Sequence, residues 1–282
     1  MTAALAGLRI VDFSRYLPGA YPSWIAADLG ADVIRIEHPR ELAKQAAMLG
    51  SESVAARRAR ARPTWTRNKR SLLINPGHAD ARLVLHRLIE QADVLIEDYR
   101  PGVMDGMGYG YEEMAALNPR LIYCSVSFAG QTGPLAGQAG HDPAALALAG
   151  ALSRLNGLPR PNLPGLQVAD VLAGCHATIG MMAALQAREK TGRGQHVDVA
   201  MSDASMPLLM VTLGRTDDLA SLPPPMARGI RRGACGNAPT GNICARPTWS
   251  RLIGRASAGR SGATISSRFA PSPRDIGIWS AS

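Results

Sequence analysis

Short β-branched runs alternate along this chain with longer stretches of helical spacing. Six runs read as strands: Leu8–Phe13, Asp32–Glu37, Ser71–Asn75, Asp93–Glu97, Leu121–Val126 and Gln195–Met201. Between them, His78–Gln91 sets Leu83, Leu85, Leu88 and Ile89 on one broad helical face. Pro18 and Gly30 bracket another helix, because proline suits a first turn and glycine a helix end. A longer helix from Val171 to about Glu189 carries small apolar residues nearly all round, among them Ala173, Gly174, Ala177 and Met181. A helix of that kind is expected to be buried. Strands separated by helices require crossover connections, so the expected class is α/β, a Rossmann-like, mostly parallel sheet with flanking helices.

The pattern stops near Arg228. Residues 228–282 hold one Leu and no Val, Met or Lys, and show no sustained period. Ordering a residue costs roughly 1–2 kcal/mol of backbone entropy, and this composition has little apolar surface to offset that. The expected organisation is a large domain over 1–227 and an atypical, disordered Arg/Ser/Gly-rich tail over 228–282. A second basic stretch, Arg57, Arg58, Arg60 and Arg62, reads as a solvated face or loop, with a phosphate-binding loop as the alternative.

Charge changes the picture only once it is located. The formal net charge is +9, yet residues 1–227 hold 22 Lys/Arg against 21 Asp/Glu, while 228–282 hold nine Arg and the single acid Asp275. The body is electrically ordinary. The tail arginines are not interleaved with aromatics beyond Trp249 and Phe269, so no nucleic-acid partner is expected. A hydrophobic share of 46% supports a sizeable core. No contiguous apolar run approaches the roughly 18 residues of a membrane span, and the start of the chain lacks the features of a signal peptide. The expectation is a cytoplasmic protein without a membrane partner. Cys124, Cys175, Cys235 and Cys244 show no C-x-x-C spacing, which argues against a metal or disulfide framework.

Eight segments carry the chemistry: L-x-G-L-R-I-V-D-F at Leu5–Phe13, A-D-L-G-A-D-V-I-R-I-E-H-P at Ala27–Pro39, R-N-K-R-S at Arg67–Ser71, A-D-V-L-I-E-D-Y-R-P-G-V at Ala92–Val103, G-Q-T-G-P at Gly130–Pro134, A-G-H-D at Ala139–Asp142, Q-V-A-D at Gln167–Asp170, and T-G-R-G-Q-x-V-D-V-A-M at Thr191–Met201. In this order and spacing the chain resembles the family III CoA-transferases of the CaiB/BaiF type, a group that includes the α-methylacyl-CoA racemases. The resemblance implies the fold of that family, an acyl-CoA substrate, a homodimer, and no metal and no cofactor beyond coenzyme A itself.

By its residues alone, Asp170 follows a proline-rich loop and heads a helix, where capping would explain it. The resemblance makes it the catalytic aspartate, a nucleophile in the transferases and a proton shuttle in the racemases. His141 in G-H-D corresponds to the racemase histidine that works the opposite face of the α-carbon. The backbone around Asp142 would help stabilise an enolate oxygen. Leu17, where formyl-CoA-transferase-like members tend to carry glutamine, points the same way. Racemase-like 1,1-proton transfer on a 2-methylacyl-CoA is therefore the first reading. A CoA-transferase is the alternative, and an inactive remnant the third. For the phosphates of CoA the candidates are Arg35, His38, Arg67, Lys69 and Arg100, since phosphate demands cations. His78, His86, His176 and His196 match no role, and His176 is expected to be a core residue. Asp198 and Asp203 are read as structural.

Three departures stand out. His38 stands where racemases often carry arginine, and Pro143-Ala144-Ala145 where they continue I-N-Y. No glutamate follows Glu189, although the racemase histidine is paired with one from a downstream segment. The expectation is a C-terminus truncated or altered by a frameshift, with the second, smaller domain missing or degenerate.

Overall fold

Each of the six β-branched runs forms a strand in the computed structural model, which describes residues 3–48, 64–152 and 163–210. The strands are β1 (Arg9–Asp12), β2 (Asp32–Glu37), β3 (Arg70–Leu73), β4 (Val94–Glu97), β5 (Ile122–Ser127) and β6 (His196–Ala200). They form one sheet in the order β3-β2-β1-β4-β5-β6, with every pairing parallel. This is the α/β parallel-sheet class the pattern predicts. Strands covered on both faces need apolar residues without strict alternation, and all of β5 is buried. β3 stops short of Asn75, which turns the chain by accepting the Gly77 N–H (3.1 Å) and the His78 N–H (3.0 Å).

The helices are α1 (Leu17–Asp28), α2 (Pro39–Met48), α3 (Ala79–Glu90), α4 (Val103–Met107), α5 (Tyr111–Leu117), α6 (Asp142–Leu148), α7 (Val168–Thr191) and α8 (Met201–Ser205). α3 starts where the His78 side chain accepts the Asp80 N–H. It buries Ala81, Leu85 and Ile89 in the core cluster that holds Val11, Ile34, Leu95 and Tyr123. Leu83, expected on that face, points outward and is 61% exposed.

The chain divides into two units. The first takes residues 1–139 and 170–201 and contains the whole sheet; the second takes 140–169 and the chain from Ser202. Within the second, α6 buries Ala144, Ala145 and Leu146, and α8 buries Ala204 and Ser205. The boundary expected at 227/228, the tail, Cys235, Cys244 and the run Arg57–Arg62 lie outside the described residues. Of the other two cysteines, Cys124 is buried and Cys175 partly so.

α7 departs from expectation in two ways. It begins at Val168, so Asp170 lies within its first turn instead of capping it. The buried stripe runs Ala169, Ala173, Ala177, Met181, Ala184 and Arg188, while Ile179 on the other side is 66% exposed. His176 is likewise exposed, its Nδ1 2.9 Å from the Leu172 carbonyl. By length and composition α7 is apolar enough to cross a membrane, although His176 and Thr178 interrupt its apolar run. Only a third of its apolar window is buried, along the stripe that faces the sheet. Gly180 packs so close to β6 that a Cβ there would lie 2.7 Å from Val197 Cγ1.

Arg188 fixes the lower end of α7. Its Nη2 donates to Asp93 Oδ1 (2.9 Å) and its Nη1 to the Arg120 carbonyl (3.2 Å), while Asp93 Oδ2 accepts the Arg9 N–H (2.8 Å). Arg9, Asp93 and Arg120 all stand at or just before the amino ends of β1, β4 and β5. α7 therefore runs antiparallel to the strands, and Asp170 lies about 27 Å up its axis, toward their carboxyl ends.

Candidate functional site

In an open parallel sheet, ligands bind beyond the carboxyl ends of the strands, where the strand order reverses. Here β1 and β4 are neighbours, and the chain leaves them in opposite directions. The loop after β1 (Phe13–Tyr16) and the loop after β4 (Asp98–Gly102) flank the crevice that this strand order implies.

Asp98 ties these two loops together. Its Oδ1 accepts the Arg15 N–H and its Oδ2 the Tyr16 N–H, both at 2.8 Å. The Asp98 carboxylate thereby satisfies backbone donors at the start of α1, where Tyr16 supplies no side-chain cap. Gly19 permits the approach, since a Cβ there would lie 2.6 Å from Asp98 Cβ. Burial pushes the Asp98 carboxyl up to about 7, against the two N–H donors that favour its charge.

Glu97 sits deeper, accepting the Tyr99 N–H (2.8 Å). Burial pushes its carboxyl up to about 8, partly opposed by hydrogen bonds from Ser125 and Tyr99. Ser125 Oγ also lies 2.9 Å from His196 Nε2. An unfolded glutamate titrates near about 4.3. Between that pH and about 8 the unfolded chain has released the proton that the folded Glu97 retains. Stability thus falls as pH rises through this window, and Asp98 acts in the same direction. Glu97→Gln is expected to flatten the pH dependence of the melting temperature and to raise it at pH 8. A variant whose profile parallels the wild type would show that Glu97 is already ionised in the fold.

The expected phosphate cations separate into three groups. Lys69 is buried between α1 and the sheet, its ammonium donating to Asp12 Oδ2 (2.9 Å), Ser23 Oγ (2.7 Å) and the Ala20 carbonyl (3.0 Å). All three of its donors are engaged internally. Burial alone would raise the Asp12 carboxyl, but the Lys69 charge and hydrogen bonds from Ser14, Lys69 and Ser23 hold it below the ordinary range. Arg67 lies before the amino end of β3, beside the C-terminal end of α1. It pairs with Asp28 and stacks over Trp24 at 4.7 Å. Asn68, in the left-handed region with φ 60°, adds a hydrogen bond to Asp28 (2.8 Å).

Arg35 is mostly enclosed on β2, 3.8 Å from Glu37, and its Nε has no acceptor among the described residues. His38 and Arg100 stand beyond the carboxyl ends of β2 and β4, on the ligand side. His38 Nδ1 accepts the Arg40 N–H (3.0 Å) as α2 begins. Its neutral ring therefore carries the proton on Nε2. Arg100 is exposed at the turn into α4.

Asp170 shares this end of the sheet. α7 and α1 meet where a Cβ on Gly174 would lie 2.5 Å from Tyr21 Cβ, a contact only glycine allows. Asp170 is one turn before Gly174, as Leu17 is one turn before Tyr21, and both helices run antiparallel to the strands. Their first turns therefore emerge together beside the crevice. His141 and Asp142 belong to the second unit. His141 is exposed immediately before α6, with extended backbone (φ −114°, ψ 173°), and Asp142 is buried in the first turn. Arg15, Tyr16, Asp98 and Tyr99 escaped the sequence reading. Their position directly after two strands was legible, but the strands' adjacency was not.

Residues 5–242 match the family model for CoA-transferase family III. The chain is 36% identical over 213 residues to the acetyl-CoA:oxalate CoA-transferase of Acetobacter aceti, covering 73% of this chain and 53% of the relative. It is 33% identical over 214 residues to the succinate–glutarate CoA-transferase of Agrobacterium fabrum, covering 73% and 52%. The chain thus spans about half the length of the curated relatives it matches. Among solved structures, a CaiB/BaiF family protein from Brucella suis aligns with a TM-score of 0.66 and 32% identity, covering 76% of this chain and 57% of the other.

Proposed function

Because this chain belongs to CoA-transferase family III, we propose that it moves coenzyme A between carboxylic acids, with Asp170 as the nucleophile. The Asp170 carboxylate attacks the thioester carbonyl of an acyl-CoA. The C–S bond breaks, releasing the CoA thiolate and leaving an acyl–aspartyl mixed anhydride. The thiolate then attacks the aspartyl carbonyl and expels the donor acid as its carboxylate. CoA is now held as an aspartyl thioester, and an acceptor carboxylate reverses both steps to leave as the new acyl-CoA. The scheme uses no cofactor beyond the CoA of the substrate.

The observation that carries this reading is Asp170 in its matching Q-V-A-D motif, in the first turn of a 24-residue helix that opens beside the crevice. A helix N-terminus favours negative charge there, in the attacking carboxylate and in the oxyanion it generates. The relatives' names add transferase chemistry. Proton transfer at an α-carbon, first on sequence alone, is the second reading and rests on His141 standing exposed beside Asp142.

The test supplies an acyl-CoA, an isotopically labelled carboxylic acid and heavy water together. Transfer moves the label from free acid into thioester with ping-pong kinetics and leaves the α-proton in place. Deuterium entering the α-carbon without movement of the acid label would establish the second reading instead.

A further inference from the structure

Three polar side chains from neighbouring strands meet on one face of the sheet. Glu97 of β4 pairs in register with Ser125 of β5, and Ser125 with Asp198 of β6, two residues after His196. Residues two apart on a strand share a face. The Ser125 hydroxyl bonds the Glu97 carboxyl and lies 2.9 Å from His196 Nε2. Glu97 and Ser125 are 3% and 1% exposed, so water does not reach the carboxyl directly. His196 is half-buried, its ring stacked on Tyr111 at 4.7 Å and edge-on to Tyr123 at 5.4 Å. The Tyr123 hydroxyl donates elsewhere, to the Tyr109 carbonyl. Among the described residues, Nδ1 of His196 has no hydrogen bond.

We infer that Glu97, Ser125 and His196 form a proton relay, through which the buried carboxyl exchanges its proton with solvent and the tautomer of His196 changes with the charge on Glu97. A hydroxyl between two such groups donates to one and accepts from the other. With Glu97 protonated, its O–H donates to Ser125 Oγ, the Ser125 O–H donates to His196 Nε2, and the neutral ring carries its proton on Nδ1. Loss of one proton reverses every bond. Nδ1 gives its proton to water, Nε2 takes the proton of Ser125, and Ser125 takes that of Glu97. The charge stays on the carboxylate while the proton leaves from the ring.

That charge reaches the loop after β4. Glu97 also accepts the Tyr99 N–H, and an ionised acceptor strengthens such a bond. The loop is therefore held more firmly once the relay has ionised. Burial foremost, with the charges of Asp98 and of Asp105 on α4, favours neutral Glu97 against the bonds from Ser125 and Tyr99. Burial also keeps the His196 ring neutral, opposed by Asp198 on its own strand, Glu112 on α5 and Asp105. Tyr123 and Cys124 on β5 are pushed up by burial and stay neutral throughout. The relay thus ionises as pH rises through about 8.

Nitrogen NMR of the full chain with labelled histidine tests this, the His196 signals being those lost in His196→Gln. From about pH 6 to about pH 10, His196 is expected to change from the Nδ1–H to the Nε2–H tautomer. The midpoint should coincide with that of the Glu97 carboxyl carbon shift, and the Tyr99 amide proton should move downfield over the same step. Ser125→Ala and Glu97→Gln should each leave His196 in one tautomer throughout. A wild-type His196 that keeps one tautomer, or changes it at a pH apart from Glu97, overturns the relay whether or not any variant folds. A tautomer change that persists in folded Ser125→Ala overturns it equally.

Discussion

Lys69→Met is expected to destabilise the protein by about 3–5 kcal/mol, the cost of leaving a buried carboxylate without its cation. Asp12 and Lys69 are each almost completely enclosed, at 0% and 1% side-chain exposure. Removing the ammonium withdraws the ion pair and two further hydrogen bonds, to Ser23 and the Ala20 carbonyl. Water cannot reach Asp12 to replace them. The double replacement Asp12→Leu with Lys69→Met should recover part of the loss, because neither charge then remains buried. Denaturant unfolding of the two single variants and the double measures the coupling. Were Lys69 a phosphate contact, its loss would instead leave stability unchanged and weaken CoA binding. The same unfolding and titration experiments separate those outcomes.

Asp170→Asn should lower CoA transfer by at least about 10³-fold while the protein stays folded. The amide is nearly isosteric but cannot attack a thioester, and it forms no anhydride. Structurally, the substitution removes one negative charge from the first turn of α7, worth roughly 0.3–1 kcal/mol. His141→Ala is the control for the rival chemistry, because transfer through Asp170 survives it and α-proton exchange does not. Rapid quenching of the wild type with acyl-CoA alone should trap an acyl or CoA adduct, absent from Asp170→Asn. Transfer at wild-type rate in that variant would remove Asp170 from the mechanism.

The central strands were legible because they are covered on both faces. β2 has its predicted bounds, Asp32–Glu37, between Gly30 in the left-handed region at φ 98° and Pro39, which opens the next helix. Asp170 was legible as standing at the head of a long helix, though its place inside the first turn was not. What could not be read were pairings between distant residues. Lys69 looks like any motif cation until Asp12, 57 positions away, is found beneath it. Arg67 likewise reads as a free guanidinium, and only the return of α1 brings Asp28 to it. The crevice depends on β1 and β4 being neighbours, a fact of strand order that no local period encodes. Leu83 and the exposed side of α7 show the converse limit: an apolar face in the sequence does not say how much of it another element covers.

The strand order also sets a schedule for the chain as it leaves the ribosome. β1 to β5 can pair once Ser127 has emerged, but β6, which completes the outer edge of β5, begins only at His196. At about 5–20 residues per second, that edge stays bare for roughly 3–14 s. All six of its residues are ones the finished fold buries, and an uncovered strand of this kind can template the addition of another chain. Slower elongation between Phe128 and Gln195 lengthens the exposure. The yield of native protein therefore depends on how long Ile122–Ser127 waits for its neighbour.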